Sequence, residues 1–242
     1  MKRVERRHLK QNPLEAFMEG LSGALGSHQR EITTAAGVVV VVVLAALGYF
    51  YWTGRTDGRA HEMLADAVAV SDARVGAPIA PGTPGAAVSF PTEALRAQAA
   101  LAKFQAVADA YPTSDAGIYA RYRQAATLVD LGRPADAEAV YQMVIDRAGD
   151  RIYGQMARLG LADAQSRAGQ YDQAINGFKE LAQRKDGPLP IDAILMQLGR
   201  TYLDAGKRAD AQQAFNRVVA EFPDSPFNAD AKRELDGLKV KT

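Results

Sequence analysis

The chain has 242 residues, of which 48% are hydrophobic and 7% aromatic, and it carries a formal net charge of +1. This length is enough for one sizeable domain, or for a small domain with an anchor. The absence of cysteine excludes disulfides, thiolate metal sites and a cysteine nucleophile. The small net charge argues against a nucleic-acid-binding protein.

Residues 1–31 form a leader that contains one short amphipathic pattern. After Pro13, apolar residues recur at the spacing of one helix face: Leu14, Phe17, Met18, Leu21 and Leu25. Such a helix lies on the inner membrane surface or docks on a membrane partner. The pattern equally fits a short frayed helix without a role.

Residues 32–52 are predicted to form a transmembrane helix. No charged residue occurs from Ile32 to Gly54, and a helix of 32–52 is about 31 Å long, close to a hydrocarbon core of roughly 30 Å. A buried strand would be far shorter, and a cleaved signal peptide would have an unusually long leader. Tyr49, Tyr51 and Trp52 are therefore expected at the membrane interface, as part of an aromatic belt.

The distribution of lysine and arginine predicts how this span is oriented. Six such residues precede the span, and only Arg55, Arg59 and Arg74 occur in a stretch of similar length after it. The bias favours a cytoplasmic N-terminus and places the large C-terminal part on the outer side of the membrane.

Residues 53–75 are expected to continue the span as the first helix of a folded domain. The next segment, 76–91, contains four prolines and three glycines and cannot sustain a helix. It is predicted to be a mobile loop, with an ordered loop packed on the domain as the alternative.

Residues 92–223 repeat with a period of 37. Gly132, Gly169 and Gly206 are separated by this step, and each is expected to end a helix in a left-handed turn. A second helix follows at once, so the two helices of a unit run antiparallel. Three further series share the register and are expected to pack between the helices: Ala100, Ala137, Ala174 and Ala211; Phe104, Tyr141, Phe178 and Phe215; Val107, Val144, Leu181 and Val218.

These units resemble the tetratricopeptide repeat. The turn "GQYDQAI" at 169–175 is close to that of the family, and the third copy carries the first-helix signature at Leu198, Gly199 and Tyr202. The first copy has Gln124, Ala125 and Leu128 at these positions, and the second copy has Leu161, Ala162 and Gln165. The expected fold class is all-α: one N-terminal transmembrane helix, then a repeat solenoid of about four helix pairs, with 224–242 as a capping helix.

No pattern of catalytic or metal-binding residues is recognisable in the sequence. Three scattered histidines, His8, His28 and His61, form no metal-binding pair, and no glycine-rich phosphate loop or catalytic triad stands out. We therefore expect no enzyme activity, no cofactor, no bound metal and no small-molecule substrate.

The resemblance implies a binding groove lined by the first helices. The family's groove positions fall on Tyr119 and Tyr122 in the first copy, on Met156, Asp163 and Arg167 in the second, and on Met196 and Arg200 in the third. Aromatic residues, methionine and arginine are the types that anchor protein partners. The alternative is that such side chains simply pack between helices.

An N-terminal span followed by outward repeats also resembles the anchored repeat proteins of bacteria that serve as ancillary Sec translocon subunits or cell-division coordinators. The resemblance implies a single-pass protein of the bacterial inner membrane with a periplasmic domain. Its expected function is an adaptor that binds proteins or peptides and assists protein export or envelope assembly. The alternative is an accessory structural subunit of a large membrane complex.

Overall fold

The computed structural model of the chain describes residues 29–76, 89–184 and 187–240, without side-chain placement at 29–33, 35–36, 49–55 and 240. The amphipathic pattern predicted within 1–31 lies outside this part of the chain, as does most of the loop predicted at 76–91. The chain divides into two units, Met1–Arg55 and Thr56–Thr242.

Nine helices and one pair of two-residue strands make up the described residues. In chain order these are α1 (Gln29–Ser71), β1 (Arg74–Val75), β2 (Ser89–Phe90), α2 (Glu93–Ala110), α3 (Asp115–Asp130), α4 (Pro134–Ala148), α5 (Ile152–Arg167), α6 (Tyr171–Gln183), α7 (Ile191–Asp204), α8 (Arg208–Glu221) and α9 (Asn228–Val240). The predicted all-helical repeat solenoid is thereby confirmed, with a small parallel ladder added to it.

Within the described residues, no helix is long and apolar enough to cross a membrane. The transmembrane helix predicted at 32–52 is therefore not supported by the structure. That segment lies within α1, where the side chains from Val38 to Val43 are between 49% and 66% exposed. Tyr49, Tyr51 and Trp52 also lie in α1, but their side chains fall outside the description, so their interfacial role stays a prediction.

The paired strands join the two ends of the proline- and glycine-rich segment. Arg74 is in register with Ser89, and Val75 with Phe90, in a parallel pair. The backbone N–H of Gly76 adds a hydrogen bond of 2.9 Å to the carbonyl of Phe90. A ladder of two residues is too short to leave an alternating pattern in the sequence, which is why it was not predicted.

Helices α1, α2 and α3 share a small core. Phe104 of α2 is fully buried there, together with Ala67 of α1 and Ala120 of α3. Helix α2 begins where the Leu95 N–H donates to Thr92 Oγ1, and α3 begins where the Gly117 N–H donates to Ser114 Oγ. These side-chain caps satisfy backbone donors that have no partner within the helix.

Three antiparallel pairs follow: α3 with α4, α5 with α6, and α7 with α8. The glycines at the end of the first helices, Gly132, Gly169 and Gly206, have φ angles of 72°, 79° and 74°, the left-handed conformation that favours glycine. The first helices of successive pairs also contact one another, α3 with α5 and α5 with α7. We call the surface formed by α3, α5 and α7 the first-helix face.

The aromatic residue of each second helix fills the space beneath the first helices. Tyr141, Phe178 and Phe215 are 3%, 1% and 0% exposed. A Cβ placed on Gly199 would lie 2.4 Å from Cε1 of Phe215, closer than any real contact. The glycine of the third first-helix signature is therefore needed because the aromatic ring packs directly on the backbone of α7.

One buried polar atom in α3 interrupts this apolar packing. Gln124 is 8% exposed, and its side-chain oxygen has no hydrogen-bond partner among the residues that the structure describes. Leucine stands at the equivalent positions of the next two copies, 161 and 198. A buried acceptor that loses its water without gaining a partner destabilises the fold.

We therefore predict that Gln124→Leu raises the free energy of unfolding by about 1–2 kcal/mol. A higher urea midpoint at an unchanged slope of the transition would demonstrate it. Gln142→Leu is the control, because Gln142 is exposed and donates to Asp146 Oδ1 at 2.8 Å. A loss of stability in Gln124→Leu would show that the amide has a partner in solution.

Candidate functional site

A cleft of about 370 Å³ opens on the first-helix face between α5 and α7. Its two walls are formed by equivalent residues of consecutive repeats, each 37 positions apart: Met156 and Ala193, Leu159 and Met196, Gly160 and Gln197, Asp163 and Arg200. The remaining lining consists of Tyr122, Tyr141, Phe178, Leu189 and Phe227. The lining is mostly apolar, with two charged residues.

Residue size explains why the cleft lies between α5 and α7. Two of the wall positions carry small residues, Gly160 on α5 and Ala193 on α7. The equivalents of these two positions on the neighbouring first helices are the larger Arg123 of α3 and Met156 of α5. A Cβ at Gly160 would lie 2.4 Å from Cζ of Tyr141, so Gly160 makes room for this ring, and the small side chain of Ala193 leaves space in the cleft.

Tyrosine side chains extend the cleft across α3. The rings of Tyr122 and Tyr141 have centroids 6.0 Å apart, and those of Tyr119 and Tyr122 are 6.4 Å apart and stacked. Tyr119 also lies 5.4 Å from Tyr153 of α5. These four rings form what we call the tyrosine row, which continues from the cleft over the preceding repeat.

Two phenol groups of this row, those of the partly buried Tyr122 and the buried Tyr141, are available as hydrogen-bond donors. Burial, with a smaller contribution from Tyr119, raises the pKa of Tyr122 above its usual value. Burial, followed by the neighbouring Tyr122, raises the pKa of Tyr141 further. Neither phenol oxygen has a hydrogen-bond partner among the described residues, whereas the Tyr119 oxygen accepts from Arg123 Nη1 at 3.1 Å.

Arg123 fixes the far end of the tyrosine row. Its guanidinium lies 4.9 Å from the ring centroid of Phe104 and 5.9 Å from that of Tyr119. A second nitrogen donates to Ser71 Oγ at 2.8 Å. Because these contacts join α1, α2 and α3, the orientation of Tyr119 is held by three helices.

The two charged residues of the cleft differ in how they are paired. Asp163 accepts from Arg167 Nε at 2.8 Å, one turn along the same helix. Arg200, on the opposite wall, is exposed and forms no hydrogen bond or ion pair with any residue that the structure describes. The cleft therefore presents a paired carboxylate on one wall and an available guanidinium on the other.

The predicted groove residues are largely brought together. Five of the seven line the cleft: Tyr122, Met156, Asp163, Met196 and Arg200. Tyr119 belongs to the tyrosine row, and Arg167 contributes through its pair with Asp163. Met196 is only 1% exposed, so it is a buried part of its wall and offers a partner little surface. Whether any of these residues touches a partner stays a prediction.

Sequence reasoning missed several residues that shape the cleft. Tyr141 and Phe178 were expected only to fill the core, yet they also form the cleft floor. Gly160 and Ala193 went unnoticed, although a small residue in place of a large one at an equivalent repeat position is visible in an aligned sequence. Phe227 follows the last repeat, and no pattern in the sequence indicated that it would line the cleft.

The site shows no arrangement typical of a metal centre. Within the described ranges, no group of three or more histidine, aspartate or glutamate side chains is placed to hold a metal ion.

Helix pairs stacked through their first helices, with a cleft on that face, define an α-solenoid repeat protein. The profile of the tetratricopeptide repeat-like domain family matches residues 29–239, which is most of the chain. The chain therefore belongs to the tetratricopeptide repeat-like family. No curated protein matches it significantly.

Solved structures resemble the chain at low sequence identity. The nearly identical TPR-like repeats of a Podosopora anserina protein assigned as a kinesin light chain share 16% identity and a TM-score of 0.53, covering 60% of this chain and 78% of that one. YrrB, a TPR protein with an unusual peptide-binding site, shares 18% identity and a TM-score of 0.42, covering 58% and 74%. MamA shares 15% identity and a TM-score of 0.45, covering 60% and 88%. The first of these likenesses supports the repeat fold.

Proposed function

We propose that this chain is an adaptor that binds segments of other proteins on its first-helix face. The repeat fold is consistent with a scaffold for protein–protein interaction. The observation that carries the proposal is the apolar cleft between α5 and α7, with unpaired phenols on its floor and an available arginine at its rim.

The chemistry of the surface favours a polypeptide over a small molecule. Methionine, tyrosine and arginine are enriched at protein interfaces, where they provide contact area and hydrogen bonds. The cleft is open to solvent and continues into the tyrosine row, so an extended chain can lie across both. Apolar side chains would enter the cleft, while unpaired phenols bond to the backbone of the bound segment.

Ala193→Trp tests the cleft directly, because Ala193 lines it on α7. A photoreactive amino acid at position 156, on the facing wall, should crosslink to bound protein in cells. We expect the tryptophan to fill the cleft and reduce these crosslinks at least about tenfold. Ala139→Trp is the matched control, since Ala139 is an exposed alanine on α4. Equal crosslinking by the two variants would count against the cleft as the binding site.

We further propose that the adaptor is anchored in the bacterial inner membrane by residues 32–52, with its repeats in the periplasm. The uncharged stretch from Ile32 to Gly54 supports the anchor, and the lysine and arginine bias supports the orientation. The exposed valines of α1 are an apolar surface that lipid would cover. Such a protein could receive exported chains and assist export or envelope assembly.

Protease added to spheroplasts tests both parts of this arrangement. We expect the repeats to be digested while the leader stays protected, and the intact chain to remain in the membrane fraction after a carbonate wash. A chain that leaves the membrane in carbonate, or repeats that are protected until lysis, would exclude the anchored periplasmic arrangement.

The second candidate function is an accessory structural subunit of a large membrane complex. The exposed apolar side chains of α1, at Val38 to Leu44 and Leu47, favour it, because they could contact other membrane proteins. Exchange of 32–52 for an unrelated span separates the two functions. An adaptor should keep its crosslinks at position 156, whereas a subunit should dissociate from its complex.

A further inference from the structure

The charges at the cleft rim are not symmetric between its two walls. Asp163 and Arg200 occupy the same position in consecutive repeats, and both line the cleft. Asp163 is already paired with Arg167 through the 2.8 Å hydrogen bond. Arg200 is left as the rim charge without a partner among the described residues.

We propose that the cleft selects protein segments in which an acidic side chain adjoins one or two large apolar side chains. This inference rests on the proposed binding function and specifies its ligand. The apolar side chains occupy the cleft beside Ala193, and the carboxylate pairs with the guanidinium of Arg200. A guanidinium accepts a carboxylate through two parallel hydrogen bonds, which gives direction as well as attraction.

The size of the cleft sets the length of the recognised motif. Its volume of about 370 Å³ lies at the small end of the roughly 300–1,000 Å³ of typical ligand sites. One or two side chains fit, and the rest of the segment stays outside. A basic side chain in place of the acidic one would face Arg200 without compensation, because Asp163 is already paired with Arg167.

The carboxylate is assigned to a side chain inside the partner segment. Aromatic surface continues from the cleft over Tyr122 to Tyr119 and Tyr153. A chain that uses both the cleft and this tyrosine row extends beyond the motif, so its end need not lie at Arg200. The carboxylate of a C-terminus is the competing ligand, which the experiment distinguishes.

Fluorescence anisotropy tests the proposal. The full chain in detergent is titrated against two labelled, amidated peptides, GSGLFEGSG and GSGLFKGSG. We expect the glutamate peptide to bind about three to five times more tightly than the lysine peptide, the effect of one exposed charge pair. Arg200→Glu should reverse this preference. Lys179→Glu is the matched control, because Lys179 is exposed on α6 and the variant carries the same net charge.

Three outcomes of the affinity comparison would overturn the inference. The first is that the two amidated peptides bind with equal affinity. The second is that Arg200→Glu leaves the preference for the glutamate peptide unchanged. The third is that GSGLF with a free C-terminal carboxylate binds more tightly than both amidated peptides, which bind alike. If crosslinks at position 156 are nevertheless lost in Ala193→Trp, the proposed function stands and only the acidic motif is wrong. Crosslinks that Ala193→Trp leaves unchanged would reject the proposed function. If neither peptide binds at concentrations of about 1 mM, the acidic motif is rejected.

Discussion

Phe215→Ala is expected to lower the free energy of unfolding by about 3–5 kcal/mol. Phe215 is fully buried in the core formed by α5 to α9, and its ring lies directly against the backbone of α7 at Gly199. Alanine would leave a cavity that this backbone cannot fill without moving the helix. The loss therefore includes both the transfer free energy of the ring and the cost of the cavity.

Urea unfolding followed by circular dichroism measures this effect. Met143→Ala is the control, because Met143 is 54% exposed on α4 and its removal should change stability by less than about 0.5 kcal/mol. If Phe215→Ala were no more destabilising than Met143→Ala, the packing of α8 under α7 described above would be wrong.

Gly117→Ala is the second substitution with a large expected effect. A Cβ at this position would lie 1.7 Å from the backbone oxygen of Tyr111, and one at Gly154 would lie 2.0 Å from that of Gly149. The obstructing atoms are backbone, so they cannot rotate away as a side chain could. Relief requires opening the turn between two repeats, at a cost of about 3 kcal/mol or more.

The same unfolding experiment with Gly237→Ala provides the comparison. Gly237 lies within α9, and nothing would obstruct its Cβ. Alanine there should stabilise the chain by up to about 1 kcal/mol, since glycine is a poor helix former. Similar effects of Gly117→Ala and Gly237→Ala would disprove the close approach at the turn.

Much of the repeat fold could be predicted because its physical requirements recur at a fixed step. A left-handed turn needs glycine at Gly132, Gly169 and Gly206, and the observed φ angles agree. The aromatic residues at 104, 141, 178 and 215 must fill the same gap in each unit, and all four are buried. A requirement that returns every 37 residues is stronger than any single motif.

The cleft was harder to predict because it depends on differences between repeats. Mapping the family's groove treats each copy alike, so Met196 was expected to face a partner although it is 1% exposed. The lining combines Gly160, which makes room for the ring of Tyr141, with Ala193 on the next first helix. That combination joins two repeats and cannot be seen in either one alone.

The long connection between α6 and α7 explains one departure from the repeat. Position 191 is the equivalent of Gly117 and Gly154, yet it holds isoleucine. Helix α6 ends at Gln183 and α7 begins at Ile191, whereas α5 begins four residues after the end of α4. The longer connection removes the need for a tight turn, so a side chain is tolerated.

The equivalence of the two cleft walls has a consequence for protein engineering. Each wall is presented by a module that meets only its immediate neighbours in the stack, so a copy of both modules, α5 to α8, inserted in register would add a second binding compartment to the stack. Such a tandem protein would bind one ligand chain that carries two motifs. The affinity for this ligand would depend on whether its linker matches the distance between the two compartments.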